Sequence, residues 1–159
     1  MKYIAHRGLF DGPNRKLENK PEQIENSLSK GYDCEVDLWR IWNEWWLGHD
    51  EPQYKVNEDF IKKPGLWLHC KNLNALYELS ISKHEYVYFW HQNDDFTLTS
   101  NQYIWTYPNK DLSNNSIAVM PECSESYWNY IKNITIFGVC TDYVEKFIAE
   151  TSSMSVRSA

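Results

Sequence analysis

Tyr3-Ile4-Ala5-His6-Arg7-Gly8 is a short apolar run that stops on a basic pair. Ile4 and Ala5 suit a buried strand, and Gly8 permits a sharp exit. The polar end of such a strand needs something to face. Two later stretches answer it, Glu35-Val36-Asp37 and Gly48-His49-Asp50. A scaffold that brings these three clusters together is the reading that decides the fold. The same pattern recurs along the chain: His69 and Lys71, His91, Glu122 and Asp142 each close an apolar run. In a parallel barrel, residues at the C-terminal strand ends collect at one mouth, whereas an open α/β sheet would gather them less tightly.

Within the second run, Cys34, Val36 and Leu38 alternate with Glu35, Asp37 and Trp39. The two-residue period puts both carboxylates on one face. In a barrel one face packs outward on helices and the other points in. Carboxylates pointing in are costly unless they are paired or bound to metal.

The remaining elements are read from periodicity and punctuation. After the polar loop 9–20, Pro21 opens a helix that Gly31 stops, with Ile24 and Leu28 sharing a stripe. Residues 41–47 hold Trp42, Trp45 and Trp46 and return as a hairpin. Residues 51–64 read as a loop with one helical turn. Further strands are expected at 66–70, 86–90, 96–99, 103–107, 117–120 and 134–140, and helices at 73–80, 126–131 and 144–149. One domain over residues 1–150 is expected, followed by a flexible tail at 151–159.

The chain has 159 residues, 42% hydrophobic and 24% charged, ordinary values for a globular domain. The formal net charge of -6 argues against nonspecific binding to nucleic acid or an anionic membrane. The aromatic content is high, with Trp 8, Tyr 11 and Phe 6, and large flat side chains fill a core with few residues. Cys34, Cys70, Cys123 and Cys140 form no CxxC pair and flank apolar runs, so buried free thiols are expected. No secretory apolar segment follows Met1 and no run is long enough to span a membrane, so the cytoplasm is the expected compartment.

Ile4-Ala5-His6-Arg7-Gly8, then Glu18-Asn19, Glu35-Val36-Asp37 and Gly48-His49-Asp50, resembles the glycerophosphodiester phosphodiesterase family. That family belongs to the phosphatidylinositol phospholipase C-like phosphodiesterases, which are TIM barrels. Phe137-Gly138-Val139-Cys140-Thr141-Asp142 is similar to its final strand, and Trp105-Thr106 to a late one. The first 50 residues carry most of the resemblance, which touches both ends, while the middle is shortened. A regular barrel of this kind uses about 250 residues. The expected fold is therefore α/β, a reduced TIM-barrel-like (β/α) barrel with several outer helices shortened or missing. Uncovered strands in such a barrel would favour a homodimer.

The resemblance implies a metal-dependent phosphodiesterase acting on a glycerophosphodiester or related small diester. It makes His6 and His49 the general acid–base pair. Arg7, Lys71 and Asn19 become phosphate ligands, with Glu18 in support. Glu35 and Asp37 become ligands of one divalent ion, Mg²⁺ or Ca²⁺ first and Mn²⁺ as the alternative. Two residues before Lys71, where the family usually has a glutamate, this chain has His69. Histidine suits manganese, zinc or iron better than calcium or magnesium. Glu122 is the carboxylate that could stand in, or it is a loop acid. Asp142 reads as a cap for the last helix. The rival reading is a degenerate barrel that binds a phosphorylated ligand or partner without turnover.

Overall fold

The computed structural model describes residues 1–157. Its centre is a curled run of parallel strands. In chain order these are β1 (Lys2–Ala5), β2 (Asp33–Ile41), then β3 (Glu44–Leu47) and β4 (Tyr54–Val56), β5 (Leu66–Cys70), β6 (Tyr88–Phe89), β7 (Phe96–Leu98), β8 (Ile104–Thr106), β9 (Ser116–Val119) and β10 (Gly138–Thr141). The parallel pairs run β6-β5-β2-β1-β10-β9-β8. The other three strands are antiparallel additions: β3 on the far end of β2, β4 on β3, and β7 on β8.

Among the described residues, five α-helices accompany this sheet: α1 (Pro21–Ser29), α2 (Glu58–Ile61), α3 (Leu73–Ile81), α4 (Glu125–Lys132) and α5 (Val144–Arg157). None lies between β6 and β9, so the stretch too short for helical crossovers does without them. This is a reduced, incomplete (β/α) barrel. β6 and β8 are not paired with each other among the described residues. Ser100 bridges part of the gap: its N–H donates to Tyr88 O (2.9 Å), and its hydroxyl accepts from Tyr88 N–H (3.0 Å) and donates to Tyr86 O (2.9 Å). Phe89 and Trp105 stack across the same gap at 4.4 Å.

The interior is largely aromatic. Trp67, Phe89 and Trp105 pack with Ile4, Ile117 and Cys140, and Tyr103 stacks on Phe137 beneath them. Large rings thus fill a barrel that has too little helix around it. The outward faces of the strands pack separately. Cys34, Val36 and Leu38 lie against Ile24 of α1 and Ala75 and Leu79 of α3, while Ala118 and Val139 lie against Trp128 of α4 and Phe147 of α5. Register places Glu35 beside Trp67 and Asp37 beside His69, so both carboxylates share the inward face.

Local signals explain the helix starts. Pro21 occupies the first turn of α1, and the side chains of Asn57, Asn72 and Ser124 accept from backbone N–H groups to open α2, α3 and α4. Some expectations need amendment. Residues 54–56 are a strand, because β3 offers them an edge that the sequence does not announce. The strand expected at 86–90 shrinks to Tyr88–Phe89, which pairs on one side only, with β5. Cys123 is exposed, while the other three thiols are buried. The helix expected over 144–149 continues to Arg157, and the end of the expected tail, residues 158–159, lies outside the described residues. Among the described residues no helix is long and apolar enough to cross a membrane.

Candidate metal centre and catalytic cluster

The site forms where β1, β2, β5 and β10 end together. After Ala5 the chain enters a tight turn, His6–Gly8, in which Arg7 adopts a left-handed conformation (φ 51°). That turn aims the Arg7 N–H at Glu35 Oε2 (3.0 Å). The guanidinium returns to Glu18 Oε2 at 2.9 Å and Asp37 Oδ2 at 3.2 Å. Gly8 continues the turn against Ile24, where an added Cβ would sit 3.1 Å from the Ile24 side chain.

Asp37 is the hub. It is fully buried, and its carboxylate meets Arg7, His69 (3.2 Å), Lys71 (3.4 Å) and Asn19. Asn19 holds it twice, donating from Nδ2 to Asp37 Oδ2 and accepting the Asp37 N–H at Oδ1, both at 2.8 Å. Burial opposes ionisation of Asp37. The contact with His69 and the charges of Arg7 and Lys71 prevail and hold the carboxyl far below the usual carboxylate range. Three cations (Arg7, His69, Lys71) thus face three carboxylates (Glu18, Glu35, Asp37) in one partly sealed cluster.

His69 stacks on Phe89 at 4.9 Å and donates from Nε2 to the His91 carbonyl at 2.8 Å. That bond turns Nδ1 toward Glu35 Oε1 (3.4 Å) and Asp37 Oδ1 (3.2 Å). Burial disfavours the imidazolium, but the two carboxylates outweigh it and push the pKa up to about 9.

Glu35, Asp37 and His69 each offer a ligand atom, all within 4.8 Å of one another, and could hold a divalent cation. Two features fit an ion. Asp37 Oδ1 is buried and makes ion-pair contacts without a hydrogen bond of good geometry. A histidine that donates its far N–H to a carbonyl has the support typical of a metal ligand. Glu122 lies outside this group. Its carboxylate accepts from Thr141 Oγ1 (2.8 Å) and Asp142 N–H (2.9 Å), and burial pushes its pKa up.

His6 points its Nδ1 at Asp142 Oδ1, 2.8 Å away. Asp142 has a contact that the sequence reading did not give it: two residues before α5 begins at Val144, its carboxylate holds the His6 ring. The register of β1 with β10, Ala5 opposite Thr141, makes the two neighbours. The signal was present in the Thr-Asp that closes the last apolar run, and closure of a barrel places the last strand beside the first.

Burial opposes protonation of His6, yet the hydrogen bond to Asp142 and the charge of Glu35 raise its pKa above the ordinary value. A raised histidine pKa stabilises the fold fully below the unfolded-state value, about 6.5, and this contribution is lost as pH rises through the folded-state value. Asp142→Asn is therefore expected to lower the His6 midpoint in an NMR titration of the imidazole protons. Its destabilisation relative to wild type should shrink as pH rises past the wild-type midpoint. An unchanged midpoint would show that the pair is not coupled.

His49 is placed differently. Gly48, with φ 148°, donates its N–H to Asp37 O at 3.1 Å and accepts the Trp39 indole N–H at 2.6 Å. A Cβ at Gly48 would lie 2.1 Å from Glu51 O, so only glycine fits there. This anchors the loop beside Asp37, but the His49 side chain is 39% exposed and pairs with Asp50 at 2.7 Å. Among the described residues no hydrogen bond or ion pair joins His49 to His6. Arg7, Asn19, Lys71, Glu18, Glu35, Asp37 and His69 are thus brought together, His6 stands at their edge with Asp142, Glu122 holds the Asp142 backbone outside the metal-ligand group, and His49 stands apart.

An incomplete α/β barrel with a buried Glu–Asp–His cluster at the strand ends has the make-up of a metal-binding enzyme. In comparisons with known proteins, no family model, no curated protein and no solved structure matches the chain.

Proposed function

We propose that the protein is a metal-dependent phosphodiesterase that hydrolyses a glycerophosphodiester or a related small diester. One observation carries the reading: a histidine held by a carboxylate, His6–Asp142, stands at the edge of a cluster that combines cations with the Glu35–Asp37–His69 triad. A divalent ion held by Glu35, Asp37 and His69 would polarise the phosphoryl oxygens as a Lewis acid. The imidazole donor favours Mn²⁺ over the Mg²⁺ or Ca²⁺ that oxygen ligands alone would take.

The chain's own groups then have distinct tasks. Arg7 and Lys71 offset the charge that develops on the phosphoryl oxygens. Asn19 and Glu18 fix Asp37 and Arg7 in place. His6, with Nδ1 held by Asp142, keeps Nε2 for proton transfer. His49, on the loop that Gly48 anchors to Asp37, supplies the second histidine once substrate covers the mouth.

A second reading keeps the site without turnover. It is favoured by the charge balance around Asp37, where His69, Arg7 and Lys71 neutralise the carboxylates with protein groups alone. Turnover of a panel of glycerophosphodiesters, in chelator and with added Mn²⁺, Mg²⁺ or Ca²⁺, separates the two. Metal-dependent release of alcohol supports the enzyme. Folded protein that binds inorganic phosphate and turns over nothing with any of the ions assigns the second reading.

A further inference from the structure

Four large apolar side chains are exposed on α3 and on the β2–β3 turn that shares a groove with it. Trp42 is 93% exposed at the tip of the β2–β3 hairpin, and Leu73, Tyr77 and Ile81 are 73%, 57% and 60% exposed on α3. Their i, i+4, i+8 spacing makes one stripe along the helix. The opposite side of α3 is used by the core through Ala75 and Leu79. A groove of about 510 Å³ joins the helix to the hairpin tip, lined by Arg40, Trp42, Asn43, Asn74, Tyr77 and Glu78.

The fold itself does not account for Trp42. Trp42 and Asn43 form a two-residue turn with φ of 49° and 61° between the paired residues Ile41 and Glu44. Such turns favour Asn, Asp and Gly, and a bulky residue at positive φ is disfavoured. An indole placed there, in water, beside a continuous apolar stripe marks an interaction surface.

Charge and symmetry select the occupant. Glu78 sits next to the middle of the stripe and the chain carries a net charge of -6, which opposes an anionic lipid surface. Arg40 and Glu78, of opposite sign, share the groove. A stripe of three residues at equal spacing is self-complementary about a two-fold axis through its middle member. We propose that α3 and the Trp42 turn form the interface of a two-fold homodimer, with Leu73 of each copy against Ile81 of the other and Arg40 against Glu78.

Sedimentation velocity of the full chain tests this. The wild type should run at twice the 19.0 kDa chain mass. Tyr77→Glu, at an exposed helix position, should weaken association on the order of a hundredfold with unchanged circular dichroism. Arg40→Glu and Glu78→Arg should each be monomeric alone and should form a mixed dimer together, because the mixture restores both ion pairs across the two-fold. Arg40 also stacks on Trp45 at 4.5 Å; if its variant fails to fold, Glu78→Arg and Tyr77→Glu remain as independent probes. A wild-type monomer at every concentration overturns the proposal. So does a dimer indifferent to Tyr77→Glu, and so does Trp42-dependent binding to phosphatidylcholine vesicles by a monomer, which assigns the face to lipid.

Discussion

Asp37→Ala is expected to destabilise the metal-free protein by about 3–5 kcal/mol, the usual consequence of breaking a buried ion pair from one side. The size follows from what surrounds the carboxylate. Arg7, His69 and Lys71 all approach it, at 3.2 to 3.4 Å, and Asn19 spends both ends of its amide on it. Removing the carboxylate leaves these cations with less negative charge than the partly sealed cluster needs. Domains of this size are stable by only about 5–15 kcal/mol, so the variant should be near its unfolding limit at room temperature. Urea unfolding in the presence of chelator measures it. Asp37→Asn should lose less, because a carboxamide oxygen can still accept from Asn19. A loss under about 1 kcal/mol for the alanine variant would mean that water screens the cluster as it does surface pairs.

His6→Ala is expected to lower turnover by about 10²–10⁴-fold, the usual contribution of a positioned acid or base. The fold should tolerate it better than the loss of Asp37, because His6 stands at the edge of the cluster with one charged partner, Asp142, where Asp37 has three. The change should appear in kcat with little effect on metal affinity, since His6 is not among the three residues that can share an ion. His49→Ala provides the contrast. If the rim loop brings His49 to the substrate, its loss should match that of His6. Unchanged turnover in His49→Ala alone would remove His49 from the chemistry and leave His6 with both proton transfers. Unchanged turnover in His6→Ala would overturn the acid–base assignment itself.

The scaffold was legible because strands advertise themselves with a two-residue period. Glu35 and Asp37 could be placed on one inward face from Cys34, Val36 and Leu38 alone, and the structure has them there. The reduced barrel followed from chain length set against the number of apolar runs. What was not legible depended on neighbours distant in sequence. β4 exists because β3 presents an edge, and nothing within residues 54–56 says so. The His69 ring has its role set by the His91 carbonyl on one side and two carboxylates on the other, which no local pattern encodes. Leu73 sits at helical spacing with Leu76 and Leu79, yet it is exposed, because the α3 core face is narrower than that triplet. The Asp142 carboxylate could be matched to His6 only by knowing that the last strand returns to the first.

That return, β10 lying beside β1, has a consequence for synthesis. His6 leaves the ribosome 136 residues ahead of its partner Asp142. Until β10 has emerged and docked, the inward edge of β1 is open, the His6 ring has no carboxylate to orient it, and the interior lacks Cys140 and the Phe137 ring. Contacts so distant in sequence form late and slowly. A nascent or truncated chain therefore carries most of the charged cluster without the group that sets its histidine. The His6–Asp142 pair therefore forms only after β10 has docked on β1, and any quality-control protease that reaches the unclosed barrel acts before that.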